Sequence, residues 1–266
     1  MANIVESNDM VRHDVLADTP RLRAEFDAAR PFPYIVIDDF LDPAFADRLH
    51  DEARQTAANQ DASNGITQSL KVACTDWDAF GPQTHRLISF FNSKEFIDQL
   101  GEVVGIPDLF GDPELEGGGI HMTRQGGFLK MHTDFNWHAR LQADRRINIL
   151  LYLNKNWQPE YRGELALADL DQREVSSIEP IFNRLVVFNT NDLTLHGHPD
   201  PLMFPHDYPR TSIAMYYYSH GKPDAERIRG RATTTRYLPR DKQDISLRQG
   251  SLKARLGYLA RRFLRI

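Results

Sequence analysis

Between Gly117 and Gly221, short runs of strand-forming residues alternate with turn signals, and this texture limits the fold more than any other feature of the chain. The runs are Gly119 to Arg124, Phe128 to His132, Arg146 to Leu153, Gly163 to Ala168, Arg184 to Asn189 and Thr211 to Ser219. Asn154-Lys-Asn156 and Tyr161-Arg-Gly163 supply turns between them. Many short strands joined by turns predict a sandwich or barrel. A jelly roll fits best, because it holds a ligand between its two sheets.

The residues before this core read differently. Pro20 to Arg30 predicts a short helix, and Pro31 to Asp38 a strand with proline only at its start, where it is tolerated. Asp42 as N-cap and Pro43 at the first helical position open a helix that ends near Ala58. The polar stretch 59–78 is a long loop with a short strand around Ser69 to Ala73. Loops of this length are either lids over a site or solvated connectors. A helical region runs from His85 to Val104 with a break at Asn92-Ser93, where Ser93 can cap the second part. The expected fold is therefore mainly β, with N-terminal helices packed on a double-stranded β-helix (jelly-roll) core. The expected divisions are 1–117 as support, 118–221 as core and 222–266 as a C-terminal extension.

Composition narrows the partners. A net charge of −5 and a pI near 6.1 do not point to nucleic acid. The single cysteine, Cys74, allows no disulfide within the chain and reads as a buried, inert thiol in a reducing compartment. The N-terminus lacks a basic region followed by an apolar one, and the longest apolar runs are too short to span a bilayer. These features predict a soluble, cytoplasmic protein.

The chemistry concentrates in Gly126-Gly-Phe-Leu-Lys-Met-His132-Thr-Asp134. On a strand, residues two apart share a face, so His132 and Asp134 can converge on one point. A further histidine, His196, follows the run ending at Asn189. Two histidines and one carboxylate, with positions left open, make the facial triad of non-haem Fe(II) oxygenases. His198 competes for the third place, since Leu195-His-Gly-His198 puts both rings on one strand face. A lone His-x-Asp is weak evidence, and the segments around it carry the weight.

Those segments are Phe128 to Asp134, Ile149-Leu-Leu-Tyr152-Leu-Asn-Lys-Asn-Trp157, Gly163-Glu-Leu, Ile178-Glu-Pro-Ile-Phe-Asn-Arg-Leu-Val-Val-Phe188, Leu195-His196-Gly and Arg210-Thr-Ser212-Ile-Ala-Met-Tyr. In this order and spacing the chain resembles the prolyl-4-hydroxylase-like branch of the Fe(II)/2-oxoglutarate-dependent dioxygenases, over roughly Gly118 to Gly221. The Tyr-Leu-Asn-Lys-x-Trp segment looks like the oxygen-sensing prolyl hydroxylases. The closing Tyr218-Ser-His-Gly221 looks more like the ribosomal-protein prolyl hydroxylases.

The resemblance implies that His132, Asp134 and His196 hold Fe(II), with His196 preferred over His198 because the Leu-His-Gly pattern falls on it. Arg210 would bind the distal carboxylate of 2-oxoglutarate, for which a planar guanidinium is well suited. Tyr152 and Ser212 would add hydroxyl donors. Thr123 stands where relatives often carry a tyrosine near the cosubstrate, a departure from the pattern. The implied cofactors are Fe(II), 2-oxoglutarate and O2, with ascorbate as an optional reductant. The implied activity couples oxidative decarboxylation of 2-oxoglutarate to hydroxylation of a substrate C–H bond.

The substrate would be a protein prolyl residue or a small molecule such as a free amino acid, a lipid-linked intermediate or a sugar. Phe135, Asn136, Trp137, Arg140 and the loop 59–78 are the expected substrate contacts. His121, His138, His206 and His220 read as surface or structural histidines. Two other readings compete: a catalytically silent metal-binding or sensor jelly roll, which would not need Arg210, and a zinc hydrolase, which seldom uses such a ligand set. The tail 251–266 carries Leu252, Leu256, Leu259 and Phe263 on one helical stripe among basic residues. Such a helix suits packing on its own domain, an anionic membrane surface or a partner protein.

Overall fold

The computed structural model describes residues 10–12, 17–58, 61–62, 64–205, 209–226 and 228–239. The tail 251–266 and His206 lie outside them. The N-terminal part contributes helix α1 (Thr19–Ala28), strand β1 (Tyr34–Ile37), helix α2 (Pro43–Ala58), strand β2 (Gln68–Cys74), and helices α3 (Pro82–Phe91) and α4 (Lys94–Val104). The expected caps are present. Asp42 Oδ1 accepts the Phe45 amide at 3.0 Å, and Ser93 Oγ accepts the Phe96 amide at 3.3 Å. Helix α3 starts earlier than its apolar pattern suggests. Glu52 of α2 accepts the amides of Gln83 and Thr84 at 2.9 and 2.6 Å, satisfying the open end of α3 from a neighbouring helix.

The core strands are β3 (Phe110–Gly111), β4 (Gly119–Thr133), β5 (Trp137–His138), β6 (Ala143–Tyr152), β7 (Leu165–Ala168), β8 (Val175–Ile178), β9 (Arg184–Asn189), β10 (Leu195–His198), β11 (Arg210–Ser219) and β12 (Arg236–Tyr237). Among the described residues they form one strongly curled antiparallel sheet in the order β1-β9-β6-β11-β4-β10-β7-β8, the jelly-roll arrangement. Strands β2 and β12 add to β4, β3 to β11, and β5 to β6. The two runs expected at 119–124 and 128–132 are one long strand, β4, that continues through Gly126-Gly127.

The period of two along each strand decides which side chains meet the helices and which face the cavity. Ile147, Ile149 and Leu151 of β6, Leu185 and Val187 of β9, and Ile213 and Met215 of β11 join the cluster that includes Phe45, Leu87 and Phe96 of the helices. The alternate residues Asn148, Leu150, Phe188, Arg210, Ser212 and Tyr216 line the cavity on the other face. No described helix is long and apolar enough to cross a membrane.

Asn183 ties the N-terminal region to the sheet. Its backbone is left-handed, with φ at 62°, a conformation that asparagine tolerates better than most residues. Its side chain accepts the Leu41 amide at 2.9 Å and donates to the Leu41 carbonyl at 2.8 Å. Asn183→Ala removes both buried bonds and leaves two polar groups unpaired, so urea unfolding should report a loss of about 2–4 kcal/mol. A change of less than half that would show the clamp to be dispensable.

Candidate active site

Strands β4 and β10 lie antiparallel with His132 opposite His196. The two imidazole rings stand 4.2 Å apart between centroids. Gly197 permits this approach, because a Cβ there would meet the Leu129 and Lys130 carbonyl oxygens at 2.8 and 2.9 Å. Asp134, just beyond the end of β4, sets its two oxygens 3.6 Å from His132 Nε2 and 3.3 Å from His196 Nε2. Ligand atoms of His132, Asp134 and His196 all lie within 4.8 Å of one another, and all three residues are buried.

This donor set fits a metal ion. His132 Nδ1 donates to the Lys130 carbonyl at 2.8 Å, which leaves Nε2 with a bare lone pair towards the carboxylate. A backbone carbonyl holding the far nitrogen is the usual way a ligating histidine is oriented. Burial pushes His196 down to about 3 against the pull of Asp134, so its ring is neutral and able to coordinate. Burial alone would raise the Asp134 carboxyl, but Arg145, His196 and His132 hold it well below the usual carboxylate range.

Arg210 lines the same cavity, of about 210 Å³. Its Nε donates to the Gly163 carbonyl at 2.6 Å and its Nη2 to the Tyr152 hydroxyl at 3.1 Å. The Tyr152 oxygen accepts from Arg210, so its own proton remains to be given elsewhere. Arg210 pairs with Thr123 across β11 and β4, and Ser212 stands between His121 of β4 and Tyr152 of β6. Thr123 and Ser212 both line the cavity. On β2, Lys71 is the Cα partner of Thr123, and it lines the wall beside the missing tyrosine.

Several expectations need correction. His121 lines the cavity instead of lying at the surface, and His198 lines it as well. Of the expected substrate contacts, Phe135 lines the cavity, together with Gln68 and Lys71 from the 59–78 segment. Arg140 does not; it pairs with Asp112 and Glu114 at 2.8 and 2.6 Å. Asn136 is buried and bonds Asp192, and Trp137 packs under Arg231, whose guanidinium carbon is 3.9 Å from the ring centroid. His138 is buried between Asp112 and Glu116, a structural role in line with expectation.

Sequence reasoning missed Arg145 and Asn148, which bracket Asp134 Oδ2 at 2.8 Å each. Their alternation on β6 could have flagged them: both belong to the cavity-facing set, and a cation there is unusual.

It also missed the segment after β11. Arg229 donates to Asp192 Oδ1 at 2.8 Å and to the Asp134 carbonyl at 2.5 Å. Strand β12 then pairs Tyr237 with His132, and the Tyr237 ring lies 5.3 Å from the His132 ring. Residues 229–237 thus form a strap along one side of the site.

Residues 118–218 match the family model described as the 2OG-Fe(II) oxygenase superfamily. Similar solved structures include a Trichoplax adhaerens prolyl hydroxylase in complex with a hypoxia inducible factor oxygen degradation domain peptide. It has a TM-score of 0.56 and 16% identity, over 81% of this chain and 96% of that one. A Phytophthora capsici prolyl 4-hydroxylase has a TM-score of 0.52 and 20% identity, over 91% of this chain and 73% of that one. A Pseudomonas putida prolyl-4-hydroxylase has a TM-score of 0.50 and 21% identity, over 76% of this chain and all of that one (100%). A sequence search of curated proteins finds no match. The chain belongs to the Fe(II)- and 2-oxoglutarate-dependent oxygenases, in their prolyl-4-hydroxylase-like branch. It is a hydroxylating dioxygenase that uses Fe(II) and 2-oxoglutarate.

The strap carries a pH dependence. Burial would raise the Asp192 carboxyl, but the Arg229 amide and guanidinium and the Asn136 amide outweigh it and lower the value. A folded value below the ordinary one, about 3.9, means the contribution is full above that value. It is lost as pH falls through the lower folded value. Hydrogen exchange at the Ala232 amide, bonded to Asn136 Oδ1 at 2.8 Å, should therefore accelerate relative to core amides only in that acid window. Asp192→Asn should produce the faster relative exchange already at neutral pH.

Proposed function

We propose that this chain hydroxylates a C–H bond of an organic substrate held in the cavity, with His132, Asp134 and His196 as the Fe(II) ligands. Arg210, Tyr152, Ser212 and Thr123 form the 2-oxoglutarate pocket in this reading. The observation that carries it is Arg210 itself, a buried guanidinium facing the same cavity as the triad. A passive metal-binding protein has no need of a carboxylate clamp there.

When bound, iron and 2-oxoglutarate supply the oxidising chemistry: O2 is consumed, succinate and CO2 form, and one oxygen atom enters the substrate. The residues of the chain do the rest. His132 is locked in one tautomer by the Lys130 carbonyl. Asn148 and Arg145 orient the Asp134 carboxylate through Oδ2. Arg210 neutralises the distal carboxylate of 2-oxoglutarate, and Tyr152 gives it one neutral hydrogen bond. His198 lines the cavity beside Arg210 as a neutral ring, with burial pushing its pKa well below the ordinary histidine value. The substrate is a prolyl residue or a small molecule. A reducing, cytoplasmic setting suits the single buried thiol, Cys74.

The unequal roles of Arg210 and Tyr152 give unequal losses. Removing Arg210 strands a buried carboxylate, about 3–5 kcal/mol, or about two to four decades in 2-oxoglutarate affinity. Tyr152→Phe removes one bond to a charged group, about 1.5–3 kcal/mol, or one to two decades. Anaerobic titration followed by the metal-to-ligand absorption band measures both, and wild-type affinity in Arg210→Ala would end the reading.

His132→Ala and Asp134→Ala should lose Fe(II)-dependent succinate formation while remaining folded by circular dichroism. Iron binding that survives His196→Ala but not His198→Ala would reassign the third ligand.

A further inference from the structure

The cavity holds more positive charge than the proposed reaction requires. Lys71, Arg145 and Arg210 line it, and Asp134 is the sole carboxylate among the described lining residues. The neutral groups stay neutral: burial drives His121 and His198 well below the ordinary histidine value and pushes the Tyr216 phenol up to about 12. Burial lowers Lys71 to about 8, which leaves it protonated at neutral pH.

The charges of the loaded site can be followed in words. The two positive charges of Fe(II) and the one on Arg210 balance Asp134 and the dianion of 2-oxoglutarate. Arg145 and Lys71 remain, two positive charges in a largely desolvated space. Uncompensated buried charge is costly, so something anionic is expected to join them.

Arg145 is built to receive it. The side chain is 1% exposed, and the guanidinium carbon stands 3.4 Å from the Tyr216 ring centroid and 4.6 Å from that of Phe135. Its Nε is fixed by Asn148 Oδ1 at 2.9 Å. Its Nη2 makes no hydrogen bond of good geometry, although Asp134 Oδ2 lies 2.8 Å away. A planar cation held between ring faces, with a donor to spare next to the metal site, matches a two-oxygen anion.

We propose that the substrate is a small molecule bearing an oxyanion, a carboxylate or a phosphate, which docks on Arg145 with Lys71 completing the charge balance. This rests on the reading of the site as a Fe(II)/2-oxoglutarate oxygenase. It favours a small acid over a prolyl residue within an uncharged peptide, which would leave both cations unpaired.

The test uses the anaerobic Fe(II)·2-oxoglutarate complex of the full chain, with acetate, methylphosphonate and acetamide as probes at constant ionic strength. Acetate or methylphosphonate should shift the metal-to-ligand band in the millimolar range, and the tighter of the two tells carboxylate from phosphate. Acetamide should not shift it. Arg145→Gln should weaken the anion about tenfold or more, with Lys71→Gln weakening it as well. Affinities are referred to the fraction of protein that forms the band, so lost cosubstrate binding does not mimic lost anion binding.

Failure of the wild-type protein to form the band removes the underlying site reading. A normal band that neither anion shifts, or that acetamide shifts equally, overturns the oxyanion proposal alone. Unchanged anion affinity in Lys71→Gln and Arg145→Gln also overturns it, because the anion would then sit on iron without either cation. If Arg145→Gln does not fold, the wild-type comparison and Lys71→Gln decide the matter.

Discussion

A single carboxylate, Asp134, is buried at the centre of this protein, and the surrounding structure is arranged to make that tolerable. Taking a carboxylate out of water is unfavourable unless cations and donors replace the lost solvent. Here Arg145, Asn148 and two histidines surround its oxygens, while Arg229 holds its backbone carbonyl. These partners come from β6, β4, β10 and the strap beyond β11, so the charge can be accommodated only in the assembled sheet.

The curled sheet brings those partners together through alternation. Each core strand sends one set of side chains to the helices and the other to the cavity. The helix-facing set is almost wholly apolar and forms the large buried cluster. The cavity-facing set can then carry Arg145, Asn148, Arg210 and Ser212 without weakening the packing on the other face. Strand β2 and the segment 229–237 flank β4 as its outer neighbours, which places Lys71 and Tyr237 on the walls of a site whose ligands lie elsewhere in the sequence.

The fold shared with prolyl hydroxylases, at 16–21% identity, does not set the substrate. Side chains on the cavity wall do. Thr123 replaces a bulky hydroxyl donor with a small one, and Lys71 occupies the adjoining position on β2. The electrostatic character of the wall follows from that exchange and from Arg145. In a low-dielectric cavity each surplus charge acts strongly on what enters.

The jelly-roll core and the ligand triplet were legible because both depend on local spacing. Period-two alternation marks strands wherever one face is buried, and His132 and Asp134 lie two residues apart on one of them. The capping residues Asp42 and Ser93 marked their helices for the same local reason. The start of α3 was not legible, since Glu52 caps it from another helix. Nor was the charge of the cavity. Arg145 resembles any strand arginine until β6 lies against the end of β4, and Lys71 resembles a loop lysine until β2 pairs with Thr123. Arg140 and Trp137 are near the triad in sequence yet face away from it. Sequence by itself therefore determined the strand pattern and the metal-binding chemistry, which reside in neighbouring residues. Only the tertiary structure decided which cations share the buried space with Asp134, because that depends on strand order across the sheet, and strand order has no local signature.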